Sequence, residues 1–175
     1  RDIANKFNQD FNSPNFLIVP EPLIQKNFSR IMSLKDGSKK MSKSDPSDLS
    51  RINLNDSVDQ MVNKIKKAKT DSEPLPDNEK ILSKRPEAEN LLGIYSSLSE
   101  QPISKTINEF SGKNFSEFKE KLSSLVVDHI SPLSTEINKL LKDESFIDKI
   151  LSDGAEKANE IAYKKVKNIK KIIGF

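Results

Sequence analysis

Apolar residues that recur at helical spacing dominate the chain after residue 55, and this pattern limits the fold more than any other feature. One such face is formed by Val58, Met61, Val62, Ile65 and Ala68. The lysines of the same segment are expected mostly on its opposite, solvent side, at Lys64, Lys66, Lys67 and Lys69. Because an apolar stripe has to be buried against other elements, the pattern predicts packed amphipathic helices.

Further helical segments follow along the chain. Pro86 is expected to begin a helix, residues 103–110 and 115–130 form the next two, and Pro132 kinks or ends the second of these. His129, the only histidine, falls on the apolar stripe of residues 118–129, which indicates a packed structural side chain. A short helix over 146–151 is expected to end at Asp153-Gly154.

The last predicted helix has one apolar and one basic side. Its buried residues are expected to be Ala158, Ile161, Ala162, Val166, Ile169 and Ile172. Its exposed side carries Lys164, Lys165, Lys167, Lys170 and Lys171. A row of lysines is suited to phosphate groups of a nucleic acid, although a merely solvated surface explains it equally well.

The first fifty residues have a different pattern. Ile3, Ala4, Phe7 and Phe11 predict a helix, and the apolar run 16–19, closed by Pro20, predicts a buried strand of a parallel sheet. A helix followed by a buried strand is typical of a doubly wound α/β domain. We therefore predict a mainly α fold: residues 1–50 form the last helix–strand piece of a Rossmann-like domain, and residues 51–175 form a helical domain.

Composition excludes several classes of function. The chain has no Cys and five well separated Gly, so disulfides, thiolate chemistry, a P-loop and a dinucleotide fingerprint are ruled out. A single His excludes a zinc site made of several histidines. The net charge is only +3, so any affinity for nucleic acid has to come from local patches. No apolar run approaches the roughly 18 residues of a membrane-spanning helix.

Residues 23–50 lack sustained periodicity and contain the most distinctive motif, Lys40-Met41-Ser42-Lys43-Ser44, which we name the KMSKS loop. Two lysines three positions apart, each beside a serine, are suited to follow the oxygens of a polyphosphate. We expect residues 37–44 to be mobile until nucleotide binds, with Gly37 relieving backbone constraint. Asp45 is expected to cap a short helix that begins at Pro46.

Several spaced motifs together resemble one family, the bacterial-type tryptophanyl-tRNA synthetases of class I. They are residues 30–34 with 39–46, then 64–68 with Thr70-Asp71-Ser72, then Arg85-Pro86 with 90–95, and finally 154–158. Even Arg1-Asp2-Ile3-Ala4 is similar to a stretch of that family. The resemblance covers essentially the whole chain and corresponds to the C-terminal half of the family's enzyme. The family's first signature, a loop that contains His and Gly, is absent, so complete catalysis by this chain alone is not expected.

The resemblance implies ATP-dependent activation of tryptophan and its transfer to tRNA(Trp). Lys40 and Lys43 would be the catalytic residues, and the ATP-binding residues would be Ile31, Lys40, Met41, Ser42, Lys43 and Ser44. Mg²⁺ would arrive with ATP, with no metal site of the chain's own and no tightly bound cofactor. Lys164, Lys167 and Lys171 would contact tRNA phosphates. The family also implies a homodimer in the cytoplasm, without a membrane.

Two other functions are compatible with the sequence. One is a non-catalytic helical module that binds RNA or protein, in which the KMSKS loop is a solvated basic segment. The other is a tRNA-binding fragment that works without the nucleotide domain. A dependence on ATP separates catalysis from both.

Overall fold

The computed structural model describes residues 1–24 and 29–175, and within these ranges it is mainly helical, as predicted. The helices are α1 (Asp2–Asp10), α2 (Val58–Lys66), α3 (Glu79–Leu82), α4 (Pro86–Leu98), α5 (Ile103–Phe110), α6 (Phe115–Leu140) and α7 (Glu144–Ile173). An antiparallel hairpin consists of β1 (Met32–Ser33) and β2 (Asp36–Lys40), and a 3₁₀ turn covers Asp48–Ser50. No helix of the described residues combines the length and apolar character needed to span a bilayer.

The chain divides into two compact units. The first contains residues 1–24 and 140–175, and the second contains residues 25–139. The second unit holds the hydrophobic core, to which α2, α4, α5 and α6 contribute apolar residues. Of the face predicted for α2, Met61, Ile65 and Ala68 are buried, whereas Val58 and Val62 are exposed. Its centre is aromatic: the rings of Phe110 and Phe118 lie 4.8 Å apart in an edge-on arrangement, and Tyr95 lies 4.9 Å from Phe110.

Local signals explain where the helices of the second unit begin. Ser57 and Gln60 form a reciprocal capping box at the start of α2, since the Ser57 side chain accepts from the Gln60 N–H and the Gln60 side chain accepts from the Ser57 N–H. Pro86 is the first residue of α4, as expected for a residue that lacks an N–H. α5 has the predicted bounds.

The polar connector over residues 70–85 contains the short helix α3 and is held by Arg85. Its guanidinium donates to both carboxylate oxygens of Asp71 and, at 2.6 Å, to the carbonyl of Pro74. The same guanidinium lies 5.7 Å from the ring centre of Phe115 in α6. The hydrogen bonds from Arg85 lower the pKa of Asp71 below its ordinary value. One side chain therefore closes the connector onto the core.

One predicted helix end is wrong, and another is reduced to one of its two alternatives. α6 continues past Pro132, so the proline does not end the helix, and a kink there stays a prediction. The part after the proline is held by the Ser134 hydroxyl, which donates to the Leu54 carbonyl at 2.6 Å. Residues 146–151 do not form a separate helix, since α7 runs without a break past Asp153 and Gly154. A glycine costs a helix only about 1 kcal/mol relative to alanine, and strong helix formers follow it here.

Burial in α6 and α7 also differs from the prediction. His129 is exposed, because the side of α6 that faces the core runs through Val126 and Ser134, which are buried, and Ile130, which is partly buried, and passes beside it. Its Nδ1 lies 2.8 Å from the Leu125 carbonyl oxygen. The face predicted to be buried in α7 is not buried: no residue of that helix is, and Ile161 is 76% exposed. Spacing predicts an apolar face but not what covers it.

The strand predicted at 16–19 is absent from the structure. The segment is irregular and Ile18 is 86% exposed. The Asn8 side chain forms the hydrogen bonds that a neighbouring strand would otherwise form with Leu17. Its amide accepts from the Leu17 N–H at 2.9 Å and donates to the Leu17 carbonyl at 2.8 Å. The helix before this segment is confirmed as α1. The long irregular region 23–50 is corrected as well: part of it forms the β1–β2 hairpin, and its residues 25–28 lie outside the described part.

Candidate functional site

The N-terminal end of the KMSKS loop is fixed by the hairpin and by one buried amide. Lys40, the last residue of β2, pairs with Met32 of β1, and the Met41 N–H donates to the Ile31 carbonyl at 3.0 Å. Asn90 of α4 accepts from the Met32 N–H and donates to the Met32 carbonyl, both at 2.9 Å. Because Asn90 is only 3% exposed, this pair of hydrogen bonds ties the hairpin to the core.

Gly37 lies in β2 and packs directly against the start of α4. A Cβ atom at this position would lie 2.5 Å from the Pro86 carbonyl carbon and 2.6 Å from the Glu87 nitrogen. The glycine therefore permits a close approach of two backbones, which corrects the expectation that it loosens the loop. Residues 36–40 belong to a strand, so only residues 41–44 of the segment predicted to be mobile lie outside the hairpin, and their mobility stays a prediction.

The lysines of this region differ in their partners. Lys39 forms an ion pair with Asp36 at 3.2 Å. Hydrogen bonds from Ser38 and from Lys39 lower the pKa of Asp36 to about 2. Lys40 and Lys43 are exposed and form no ion pair with any residue in the described ranges. They are thus available to an anion from outside the chain.

The tip of the loop, residues 42–44, is stabilised only by local contacts. The hydroxyls of Ser42 and Ser44 lie 3.1 Å apart, and the Asp45 N–H faces the Ser42 carbonyl at 3.3 Å. The Asp45 carboxylate accepts from the Ser47 N–H at 2.8 Å, which makes a turn and not the predicted helix cap. The short helix that follows is the 3₁₀ turn, and Ser47 precedes it as the cap residue.

The C-terminal end of the loop is held by a network of charges. Arg51 donates to the Asp45 carbonyl at 2.9 Å and pairs with Asp48 at 3.3 Å. Asp48 also lies 2.7 Å from Lys64 of α2, whose ammonium is 2.6 Å from Asp56. The pKa of Asp48 is lowered, chiefly by the hydrogen bond from Lys64.

Lys64 contradicts its predicted place on the solvent side of α2, since it is 2% exposed. It lies three residues after Met61 and one before Ile65, so it shares their buried face. Asp56 is 5% exposed and satisfies its charge inside the protein. A buried lysine needs such a partner.

The described residues contain no cluster of three or more residues with metal-binding side chains. The carboxylates described near the loop have partners: Asp36 accepts from Ser38, Asp45 accepts from Ser47, and Asp48 pairs with Arg51 and Lys64. The loop therefore offers cations and hydroxyls, which suit phosphate oxygens better than a bare metal ion.

The predicted tRNA-binding lysines lie on α7, in the first unit. Lys164, Lys167 and Lys171 are exposed and follow one another in steps of three and four, which places them on one side of the helix. Lys165 lies on another side, where its ammonium is 3.9 Å from the ring centre of Phe16 and donates to the Phe16 carbonyl. Lys165 therefore does not belong to the exposed basic row of α7, which has fewer members than the five predicted lysines.

Sequence reasoning missed the residues that hold the loop, namely Asn90, Asp48, Arg51 and Lys64. A signal was present for two of them. Asn90 and Lys64 are polar residues at positions whose helical neighbours are apolar, which marks a buried polar contact. Nothing in the local pattern identified Asp48 or Arg51.

Comparisons with known proteins identify the family of this chain. The family model described as tRNA synthetases class I (W and Y) matches residues 1–131. The tryptophan–tRNA ligase of Caulobacter vibrioides is 49% identical over the whole chain, which corresponds to 51% of that relative. The chain thus spans about half the length of the curated relatives it matches.

Solved structures give the same result. The tryptophanyl-tRNA synthetase of Mycoplasma pneumoniae matches the whole chain and 51% of its own with a TM-score of 0.78 at 25% identity. That of Campylobacter jejuni, complexed with ADP and tryptophan, matches the whole chain and 52% of its own with a TM-score of 0.65 at 26% identity. The chain therefore belongs to the tRNA synthetases class I (W and Y), and its relatives within this family are the tryptophanyl enzymes.

Proposed function

We propose that this chain supplies the pyrophosphate-stabilising loop and the RNA-facing helices of a tryptophan–tRNA ligase. The observation that carries the proposal is the pair of exposed lysines, Lys40 and Lys43, which have no carboxylate partner among the described residues although the loop is held at both ends. Family membership supplies the reaction.

The reaction has two displacement steps. In the first, a carboxylate oxygen of tryptophan attacks the α-phosphorus of ATP, the bond from that phosphorus to the bridging oxygen breaks, and pyrophosphate leaves with the electron pair. In the second, a hydroxyl at the 3′ end of tRNA attacks the carbonyl carbon of the adenylate, AMP leaves, and the hydroxyl proton passes to solvent. The enzyme has to position the groups and stabilise charge on the pyrophosphate.

The loop residues suit the first step. Lys40 and Lys43 would approach the phosphates, because an ammonium on a long side chain follows oxygens whose charge grows during reaction. Ser42 and Ser44 would add hydroxyl donors beside them. Ile31 and Met41, joined by a backbone hydrogen bond of 3.0 Å, would form the apolar contact to the adenine.

The substrates follow from the same assignment: ATP as its Mg²⁺ complex, tryptophan and tRNA(Trp). Mg²⁺ would enter with ATP. The Campylobacter jejuni relative was crystallised with ADP and tryptophan, which supports both small substrates. A homodimer in the cytoplasm is part of the proposal.

Residues 1–50 would belong to the nucleotide side of the enzyme and residues 51–175 to the tRNA side. On α7, Lys164, Lys167 and Lys171 would contact tRNA phosphates. Their exposure on one side of a long helix supports this role.

The test is Lys43→Ala in a chimera that joins this chain to the half of the Caulobacter vibrioides relative that it does not match. Single-turnover release of pyrophosphate should slow by about 100- to 1000-fold, since one preorganised contact to developing charge typically contributes that much. Tryptophan affinity should not change. Lys39→Ala is the matched control, because Lys39 is already paired with Asp36, and it should leave the rate nearly unchanged.

An unchanged rate in Lys43→Ala would remove the lysine from the mechanism. If the chimera folds and binds tRNA but neither binds nor uses ATP, while the parent relative does both, the chain is a non-catalytic binding module.

A further inference from the structure

We propose that Lys64 is a positioning residue, which holds the C-terminal end of the KMSKS loop through Asp48 and Arg51 so that Lys43 meets the phosphates. This inference rests on the proposed function for its catalytic consequence. The contacts themselves are independent of any substrate.

Lys64 has two carboxylate partners, one more than the burial of its charge requires. Lys64 is 2% exposed, and its ammonium lies 2.6 Å from Asp56, which is itself buried and balances the charge. The second carboxylate, Asp48 at 2.7 Å, comes from outside the core, since its side chain is 56% exposed. A second ion pair of this kind does not solve the problem of burial; it connects α2 to the segment that contains Asp48.

The segment that contains Asp48 is connected directly to the KMSKS loop. Asp48 pairs with Arg51 at 3.3 Å, and Arg51 donates to the carbonyl of Asp45, the residue that follows the KMSKS loop. Asn53 reinforces the connection, because it accepts from Arg51 at 3.0 Å and donates to Asp48 at 3.1 Å. A continuous set of hydrogen bonds thus joins a buried ammonium to the backbone two residues after Lys43.

The N-terminal end of the KMSKS loop is also held by a buried polar side chain. There the buried Asn90 holds Met32, the partner of Lys40 in the hairpin. Two buried polar side chains from different helices therefore fix the two ends, and only residues 42–44 lie between them. Catalysis is sensitive to such placement, because a shift of about 1 Å can change a rate by on the order of 100-fold.

Asp48→Asn is the informative variant. Removing Lys64 would leave Asp56 buried and unpaired, whereas the exposed Asp48 can lose its charge without exposing the core. In the chimera, Asp48→Asn should slow pyrophosphate release by roughly 10- to 100-fold, with little change in KM for ATP. Glu136→Gln removes an exposed ion pair of 3.7 Å with Lys139 and should have no effect.

A double-mutant cycle separates positioning from general weakening of the fold. If Asp48 acts through Lys43, then Asp48→Asn should have no further effect on the rate in a Lys43→Ala background. A full additional loss in that background overturns the inference while leaving the role of Lys43 intact. If Lys43→Ala alone has no effect, the role proposed for Lys43 fails, and hydrogen exchange then decides whether Asp48 holds the loop.

Hydrogen exchange of the 175-residue chain, measured without substrate, tests whether Asp48 holds the C-terminal end of the loop. Asp48→Asn should accelerate exchange at the amides of Asp45 and Ser47, whose bonds lie within the held segment, while the amides of α2 keep their rates. Equal exchange at Asp45 and Ser47 in both proteins overturns the positioning role, whatever the activity. Faster exchange throughout α2 also overturns it, since the variant would then act on the core.

Discussion

At the scale of single residues, the absence of a side chain at Gly37 allows β2 to pack directly against the start of α4. Its backbone lies so close to the start of α4 that a Cβ atom would be 2.5–2.7 Å from three backbone atoms of Pro86 and Glu87. Gly37→Ala should lower the free energy of unfolding by about 1–3 kcal/mol, the usual range for overpacking. Urea unfolding monitored by circular dichroism measures this change.

Gly154 is the matched control for that substitution. It lies inside α7, and nothing is within 4 Å of the position that its Cβ would occupy. Gly154→Ala should therefore raise the free energy of unfolding by about 0.5–1 kcal/mol, because alanine loses less backbone freedom in a helix. Changes of the same sign in the two variants would contradict the close approach at Gly37.

At the scale of elements, the connector over residues 70–85 provides a prediction with a defined pH window. Arg85 lowers the pKa of Asp71, so the ion pair stabilises the fold fully above the ordinary carboxyl value of 3.8 and is lost as pH falls through the lower, folded value. Asp71→Asn should cost about 1 kcal/mol at pH 7, after discounting a charged hydrogen bond for solvent exposure. The difference from the parent chain should shrink below pH 4.

Urea unfolding at pH 7, 5 and 3 measures this dependence. The control is Glu117→Gln, which removes an exposed pair with Lys113 at 3.1 Å and should change stability by less than about 0.5 kcal/mol. A loss in Asp71→Asn that is independent of pH would mean that the carboxylate charge does not contribute.

The elements also explain which parts of the fold the sequence could predict. Helices with a continuous apolar stripe, such as α4 and α5, were predicted correctly because period and burial agree. The strand at 16–19 was wrong because Asn8 satisfies the backbone of Leu17 locally. Lys64 was wrongly predicted to be exposed, because lysine usually lies at the surface. Its position on the helix places it on the buried face, where ion pairs with Asp48 and Asp56 stabilise its charge.

At the scale of the whole molecule, the row of lysines on α7 predicts salt-dependent binding of RNA. Replacing Lys164, Lys167 and Lys171 with Gln should weaken tRNA binding by this chain. It should also flatten the plot of log affinity against log salt by roughly 2–3 units, since each phosphate contact releases about one counterion. Filter binding at several salt concentrations measures both, and adenylate formation in the chimera should be intact.

A charge-matched control is Lys80, Lys105 and Lys121 replaced with Gln, three exposed lysines of the other compact unit. If both triple variants lose the same slope, the effect is one of net charge and the α7 row has no special role. If neither loses affinity at low salt, the RNA site lies elsewhere.

The candidate site was predictable from the sequence to an uneven degree. The motif pointed to Lys40 and Lys43 as candidates, because residue type and spacing carry their chemistry locally. The ion pair between Asp36 and the neighbouring Lys39 could not be read from the spacing of the lysines. Two of the residues that hold the loop, Lys64 and Asn90, come from α2 and α4, and only the fold brings them to it.

The two held ends of the loop have a consequence for the conformational entropy of closing over a nucleotide. Ordering a residue costs about 1–2 kcal/mol, so eight free residues over 37–44 would cost on the order of 8–16 kcal/mol. With strand β2 and the Arg51 contact already in place, only residues 42–44 remain to be ordered, at about 3–6 kcal/mol. Most of that cost would then be met when the chain folds. Under the proposed function, more of the binding energy of ATP would be available to the transition state.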